Sequence, residues 1–294
     1  MILALPLLPT WASAQELTPG AYWPLPVPVN ILTVVYSLNV GDVAFDPALP
    51  ADDSRATINT MVVAYTRTLS IAGRSANVAL QLPVLGGHVE GLYQGVPTER
   101  ERFGLGDPRL TFGVNLYGAQ AMTRQERASW KMRTLVGASL TVASPSGQYD
   151  DTQIINLGSN RWSVKPEIGV SRAAGRWIVE AMAGVWLFAD NTNFSDGHLR
   201  EQDPIASVQA HVWYRFGPTM FLAADANFYR GGRTTVDGVK HFDVQRNARV
   251  GWTFSWALDQ QRSLRASFSR GAYTTIGGDF TSIAVAYNYA WARD

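Results

Sequence analysis

A chain of 294 residues with a formal net charge of +1 has no electrostatic claim on nucleic acid, and zero cysteines exclude a disulfide framework, a thiolate-held zinc and a thiol nucleophile. The balance is aromatic and glycine-rich, with 10 Trp, 11 Tyr, 12 Phe and 26 Gly against 17% charged residues. No apolar run approaches the roughly 18 residues that a spanning helix needs, and no charge block or Pro/Ser-rich linker divides the chain.

In chain order, residues 1–14 form an apolar stretch ending in a small-x-small site before Gln15, the pattern of a secretory signal, although no Lys or Arg opens it. Residues 15–29 follow with Pro19, Pro24, Pro26 and Pro28. A segment so interrupted cannot pair as a strand and is expected to lie as an extended periplasmic arm or plug. From residue 30 to 294 the pattern takes a period of two. Leu32, Val34, Tyr36 and Leu38 oppose Thr33, Val35, Ser37 and Asn39, and Ile58 to Leu69 is strand-like without a clear facing. Ala76 to Val84 alternates again, a long loop is expected from Leu85 to Asp107, and a strand from Arg109 to Tyr117. Trp130, Met132, Thr134 and Val136 then oppose Lys131, Arg133 and Gly137 in a strand reaching Val142.

Past a loop from Ala143 to Asn160, Trp162, Val164, Pro166 and Ile168 oppose Ser163, Lys165, Glu167 and Gly169, with a bulge expected at Pro166. A Gly-containing turn leads to Trp177, Val179 and Ala181 against Ile178, Glu180 and Met182. The loop from Ala189 to Pro204 precedes Val208, Ala210 and Val212 against Gln209, His211 and Trp213. Beyond Gly217-Pro218, Leu222, Ala224 and Phe228 oppose Phe221, Asp225 and Tyr229. Strands from Asn247 to Trp256, Leu264 to Phe268 and Ile283 to Trp291 close the chain.

That makes about twelve strands whose connections alternate long and polar with short, the rhythm of an all-β, transmembrane, antiparallel up-and-down β-barrel in the bacterial outer membrane. Strands of roughly 9 to 13 residues suit a tilted crossing. An even number places both termini in the periplasm. A soluble sandwich would not keep a charge-free face on nearly every strand. With that face toward lipid, Trp130, Trp177, Phe216, Trp256 and Trp291 fall at short-turn ends and Trp162 and Phe228 at long-loop ends, as girdles.

The inward face collects Arg109, Lys131, Arg133, Lys165, Arg215, Arg249 and Arg265 against Glu167, Glu180 and Asp225, seven basic residues against three acidic ones. These either line water, where the positive excess favours anions and Lys131 with Arg133 concentrates it, or interlock as an ion-pair plug. Trp186, Trp213, Phe221 and Tyr229 are candidates to stack on an aromatic solute, or pack among themselves. His88, His198 and His241 are expected in loops and His211 in the interior. There is no Gly-x-Ser-x-Gly elbow, His-Glu-x-x-His or phosphate loop, so no catalytic residue, cofactor or metal site is expected. The enzymatic alternative makes His211 the base of a phospholipase-like barrel acting on lipid. A closed structural or adhesive barrel is the other.

Gly104-Leu105-Gly106-Asp107-Pro108, then Ser144-Pro145-Ser146-Gly147-Gln148-Tyr149, then Asn156-Leu157-Gly158-Ser159-Asn160-Arg161-Trp162 with Lys165-Pro166, resemble in order and spacing the MetA-pathway of phenol degradation family. The likeness runs from about Asn30 to the C-terminus. It implies a porin-like outer-membrane transporter for passive uptake of small aromatic or hydrophobic solutes, and supplies no catalytic residues. The oligomeric state stays open.

Overall fold

Side chains alternate between buried and exposed along strand after strand, as in Ile205–Arg215 and Met220–Gly231. The computed structural model describes residues 17–42, 51–93, 96–131, 133, 134–153, 155–276 and 279–292; the expected signal segment lies outside them. The strands are β1 (Asn30–Asp42), β2 (Ala51–Ile71), β3 (Arg74–Tyr93), β4 (Val96–Leu105), β5 (Arg109–Tyr117), β6 (Thr134–Ala143), β7 (Ser163–Ala174), β8 (Trp177–Phe188), β9 (Asn191–Phe194), β10 (His198–Gln202), β11 (Ile205–Arg215), β12 (Met220–Gly231), β13 (Thr234–Val236), β14 (Val239–Lys240), β15 (Gln245–Ala257), β16 (Arg262–Tyr273) and β17 (Asp279–Trp291), with helix α1 (Arg124–Ser129) between β5 and β6.

Thirteen strands form one antiparallel sheet, and β1 pairs with both β2 and β17, so the sheet closes on itself. β4 and β5 follow one another along the same edge of β3, β4 beside Val84 to Tyr93 and β5 beside Ala76 to Gln81, so the barrel has twelve staves. Among the described residues β4 pairs with β3 alone, while every other strand of this sheet pairs on two sides, and that closure is what lets strands cross lipid. The exposed face is apolar: Ile168, Val179, Val208, Leu222 and Val250 all point outward, Val179 at 54% exposure. Trp162 and Trp177 are exposed near opposite ends. Among the described residues no helix is long and apolar enough to cross a membrane. β9, β10, β13 and β14 make a second, four-stranded sheet from the loops after β8 and β12, at the end away from the termini.

Four expectations change. The stretch from Leu85 to Tyr93 is strand, because β4 folds back on β3 and supplies its hydrogen bonds; His88 therefore lies on β3, opposite Thr57 and Glu101. His198 likewise opens β10 and is not a loop residue. The strand expected from Trp130 begins at Thr134. A capping box explains why: the Thr123 hydroxyl accepts from the Glu126 N–H, the Glu126 carboxylate accepts from the Thr123 N–H at 2.7 Å, and Trp130 caps the helix C-terminus. At Pro166 there is no bulge. Pairing with β8 lapses between Val164 and Glu167 and resumes in the same register, while pairing with β6 is continuous.

Candidate functional site

The barrel interior is organised by the segment that four prolines keep out of the sheet. Val29 is tied to Thr68 of β2, its N–H donating to the hydroxyl at 2.7 Å, and from there residues 28 back to 18 run inside the wall. The Val27 N–H donates to the Met122 carbonyl. The buried Tyr22 hydroxyl donates to Glu167 at 3.2 Å and lies 3.1 Å from the Ser139 hydroxyl. Gly20 donates its N–H to Glu180 Oε2 at 2.7 Å. Its φ of +84° and the Trp213 Cη2, 2.8 Å from where a Cβ would sit, are both reasons for a glycine there. Thr18 ends this run against Gln209. The arm thus fills the half of the lumen nearest the termini.

Of its two aromatic rings, Tyr22 and Trp23, the indole joins a continuous set of stacked contacts. The Trp23 ring lies 5.2 Å from Trp213 with the planes 20° apart, and Trp213 lies 4.6 Å from Phe221. Cations stand at both ends: the Arg127 guanidinium is 5.5 Å over Trp23, and that of Arg265 is 5.6 Å over Phe221. Arg127 also donates to the Pro24 carbonyl at 2.8 Å. Burial, and then the charge of Arg215, lower its pKa to about 10, so it remains a cation at neutral pH. On the same side of the barrel, Pro26, Val27, Pro28, Thr123, Arg124, Gln261 and Ala292 line a cavity of about 510 Å³.

Beyond the arm the wall is cationic and aromatic. Arg109 and Lys165 stand 5.5 and 5.9 Å over Trp186, which packs with Ile205 and Tyr229. Lys165 pairs with Glu167 at 2.6 Å. Arg249 lies 4.0 Å over Phe280 and donates to the Ser269 hydroxyl and the Phe280 carbonyl. Between these layers His211, fully buried, holds Asp225 through Nδ1 at 2.7 Å, and Asp225 also accepts from Thr253.

A family model described as "Putative MetA-pathway of phenol degradation" matches residues 39–285. The chain belongs to this family. An outer membrane channel from Pseudomonas putida F1 is similar at 22% identity and a TM-score of 0.77, with 94% of this chain and all of that one covered. The β domain of the Bordetella autotransporter BrkA is similar at 11% identity and a TM-score of 0.54, covering 90% of this chain and all of that one. Both likenesses fix the fold as that of an outer-membrane barrel. No curated protein matches the sequence.

The three pieces of sequence that carry the family resemblance meet at one point. Asp107 accepts from the Gly147 N–H at 2.9 Å with one oxygen, and from the Ser159 N–H and hydroxyl at 2.8 and 2.6 Å with the other. This knot seals the wall where β4 gives way to β5, since Gln148 donates its N–H to the Leu105 carbonyl there.

Of the inward residues read from sequence, Lys165, Glu167, Glu180, His211, Asp225, Arg249 and Arg265 lie on strand faces that the barrel encloses, and Arg109 stands beside Trp186. Lys131 and Arg133 do not: both are exposed and outside the sheet, because α1 takes up the residues before β6. Arg215 sits at the turn end, donating to the Gly175 carbonyl. Trp213 and Phe221 stack with each other and with Trp23, while Trp186 and Tyr229 belong to the far layer. Sequence reading missed Tyr22, Trp23 and Arg127. Only the facing glycines Gly137 and Gly169, paired across β6 and β7, hinted that something occupied the space above them.

Proposed function

We propose that this family member is a passive outer-membrane channel for small aromatic or hydrophobic solutes, and that it is not an enzyme. The observation that carries the reading is the stopper: a closed barrel whose lumen is filled at one end by its own chain, through hydrogen bonds and ring contacts that can break and re-form. Beyond the stopper, Arg109, Lys165 and Arg249 set cations against ring faces, in a layer where Trp186 is itself buried against Ile205 and Tyr229, and an amphiphilic ring passing there would replace these ring contacts with its own. The position of His211 supports the non-enzymatic reading. Its Nδ1 is taken by Asp225, and its Nε2 has no hydrogen-bond partner among the described residues and no route to lipid.

The test is solute entry into proteoliposomes and ionic conductance in planar bilayers, for the full chain and for a variant lacking residues 17–27. The expected result is entry of benzyl alcohol above the empty-vesicle rate, with conductance rising when the arm is deleted. A barrel that stays silent in both forms would be a closed structural one, and the channel reading would fall.

A further inference from the structure

Five rings and cations form a contact series: Arg127, Trp23, Trp213, Phe221 and Arg265. Four of them belong to the barrel strands or to α1, which is built between them, and are fixed without help from the arm's indole. The Trp213 Nε1 donates to Glu180 at 3.0 Å, Phe221 is buried on β12, Arg265 on β16, and Arg127 has a second ring, Trp130, at 4.8 Å. Trp23 alone comes from the arm. It is only half-buried, whereas Trp213 is 2% exposed, so the member supplied by the arm is also the one that solvent reaches.

We propose that the seat of Trp23 is an aromatic-solute site of the barrel, and that a planar, electron-rich arene competes with the Trp23 indole for it. The chemistry of the seat selects this class. Trp213 presents a ring face for offset stacking, and the Arg127 guanidinium, beside another ring and largely withdrawn from water, is attracted to the negative face of a π system. A saturated ring of the same size gains the apolar contact and neither of these terms. Displacement starts at the side chain, because the backbone around Trp23 is held separately, the Gly20 N–H donating to Glu180, the Trp23 N–H to the Gly20 carbonyl, Arg127 to the Pro24 carbonyl and the Val27 N–H to the Met122 carbonyl, and the stacked indole is what a solute replaces. A solute entering the seat therefore loosens the stopper it must pass. This rests on the channel reading for its consequence, but the site stands or falls separately.

The experiment uses the full-length protein in detergent micelles, with radiolabelled indole measured by equilibrium dialysis. In Trp23→Ala the seat is vacated while every strand is kept. Because the wild-type seat is occupied by its own indole, the variant should bind at least about tenfold more tightly. Phenol should displace the label and cyclohexanol should not. Equal binding by wild type and Trp23→Ala, or displacement by cyclohexanol as effective as by phenol, overturns the site. A second measurement needs no variant: phenol should speed chymotrypsin cleavage after Tyr22 of the wild-type protein relative to equal cyclohexanol, the bond after Trp23 being protected by Pro24, and an unchanged rate overturns the competition. Saturable, arene-selective binding without flux into proteoliposomes would leave the site standing and remove the channel.

Discussion

Gly137→Ala is the sharpest probe of the stopper. Gly137 and Gly169 are cross-strand partners on β6 and β7, and the Tyr22 ring lies over both. A Cβ at Gly137 would overlap that ring and sit 2.9 Å from the Tyr22 Cβ; one at Gly169 would come within 2.8 Å of Tyr22 Cδ2. The wall cannot retreat, since β6 is paired along its length with β5 on one side and β7 on the other. The ring must move. Overpacking of this kind costs about 1–3 kcal/mol, and displacing the ring also weakens the Tyr22 hydrogen bonds to Glu167 and Ser139, at about 1 kcal/mol each. A shift of about 1.4 kcal/mol is tenfold in occupancy, so the arm should be out of place about fivefold more often at the low end of this range, with both bonds kept, and roughly several-thousand-fold at the high end, with both lost. Single-channel recording should show more frequent opening in Gly137→Ala, and Tyr22→Ala added to it should change little further, because the two act on one contact. Wild-type conductance together with wild-type protection of the arm from protease would refute the packing argument, as would additive effects of the two substitutions.

Val179→Arg places a charge on the exposed apolar band and should cost about 2–4 kcal/mol if it lies near the bilayer midplane, read by urea unfolding in vesicles; a silent substitution would remove the lipid-facing assignment. Asp107→Ala leaves the Gly147 and Ser159 N–H groups without their acceptor, at about 1–3 kcal/mol each, and should open the 144–160 loop to protease while the barrel stays folded. In the outer sheet, the Leu199 N–H and then the His198 ring hold the Asp237 carboxyl below its ordinary 3.8. A folded value below the unfolded one means the stabilisation is present above pH 3.8 and lost as pH falls through the folded value. Exchange protection of the Leu199 amide should therefore decline in acid, and be low at every pH in Asp237→Asn.

Strand periodicity was legible because lipid outside and polar groups inside leave opposite marks on alternate residues, as at Val208, Gln209, Ala210 and His211. Periodicity failed where a different local term won. At Trp130 to Arg133 the alternation is present, yet the capping box of Thr123 and Glu126 and the ring contact between Arg127 and Trp130 start a helix upstream and delay the strand. At Leu85 to Tyr93, Gly86 and Gly87 read as loop, but β4 pairs across both and their backbone groups are satisfied as strand. The arm's inward course was beyond periodicity altogether. Four prolines say that a segment is not a strand; they do not say which side of the wall it takes, and that is fixed by contacts 117 to 191 residues away, from Ser139 to Gln209.

The arm also decides which charges remain for a solute. Removing Lys131 and Arg133, and Arg215 at the turn end, from the seven inward bases leaves four against three acids, with Arg127 of α1 added beside the arm. All three acids are engaged: Glu180 accepts from Gly20, Ser171 and Trp213, Glu167 from Lys165, Tyr22 and Gln209, and Asp225 from His211 and Thr253. Two of them hold the stopper directly. With the arm seated, carboxylate oxygens point at its backbone N–H and phenol hydroxyl, while Arg109 and Arg249 remain on the far side, each over a ring. With the arm withdrawn, Glu167 and Glu180 lose those donors and face the space it vacates. In the proposed channel, positive potential in the lumen should therefore be greatest with the stopper in place, and the variant lacking residues 17–27 should show a lower ratio of anion to cation permeability than the full chain; equal reversal potentials under a salt gradient would refute this.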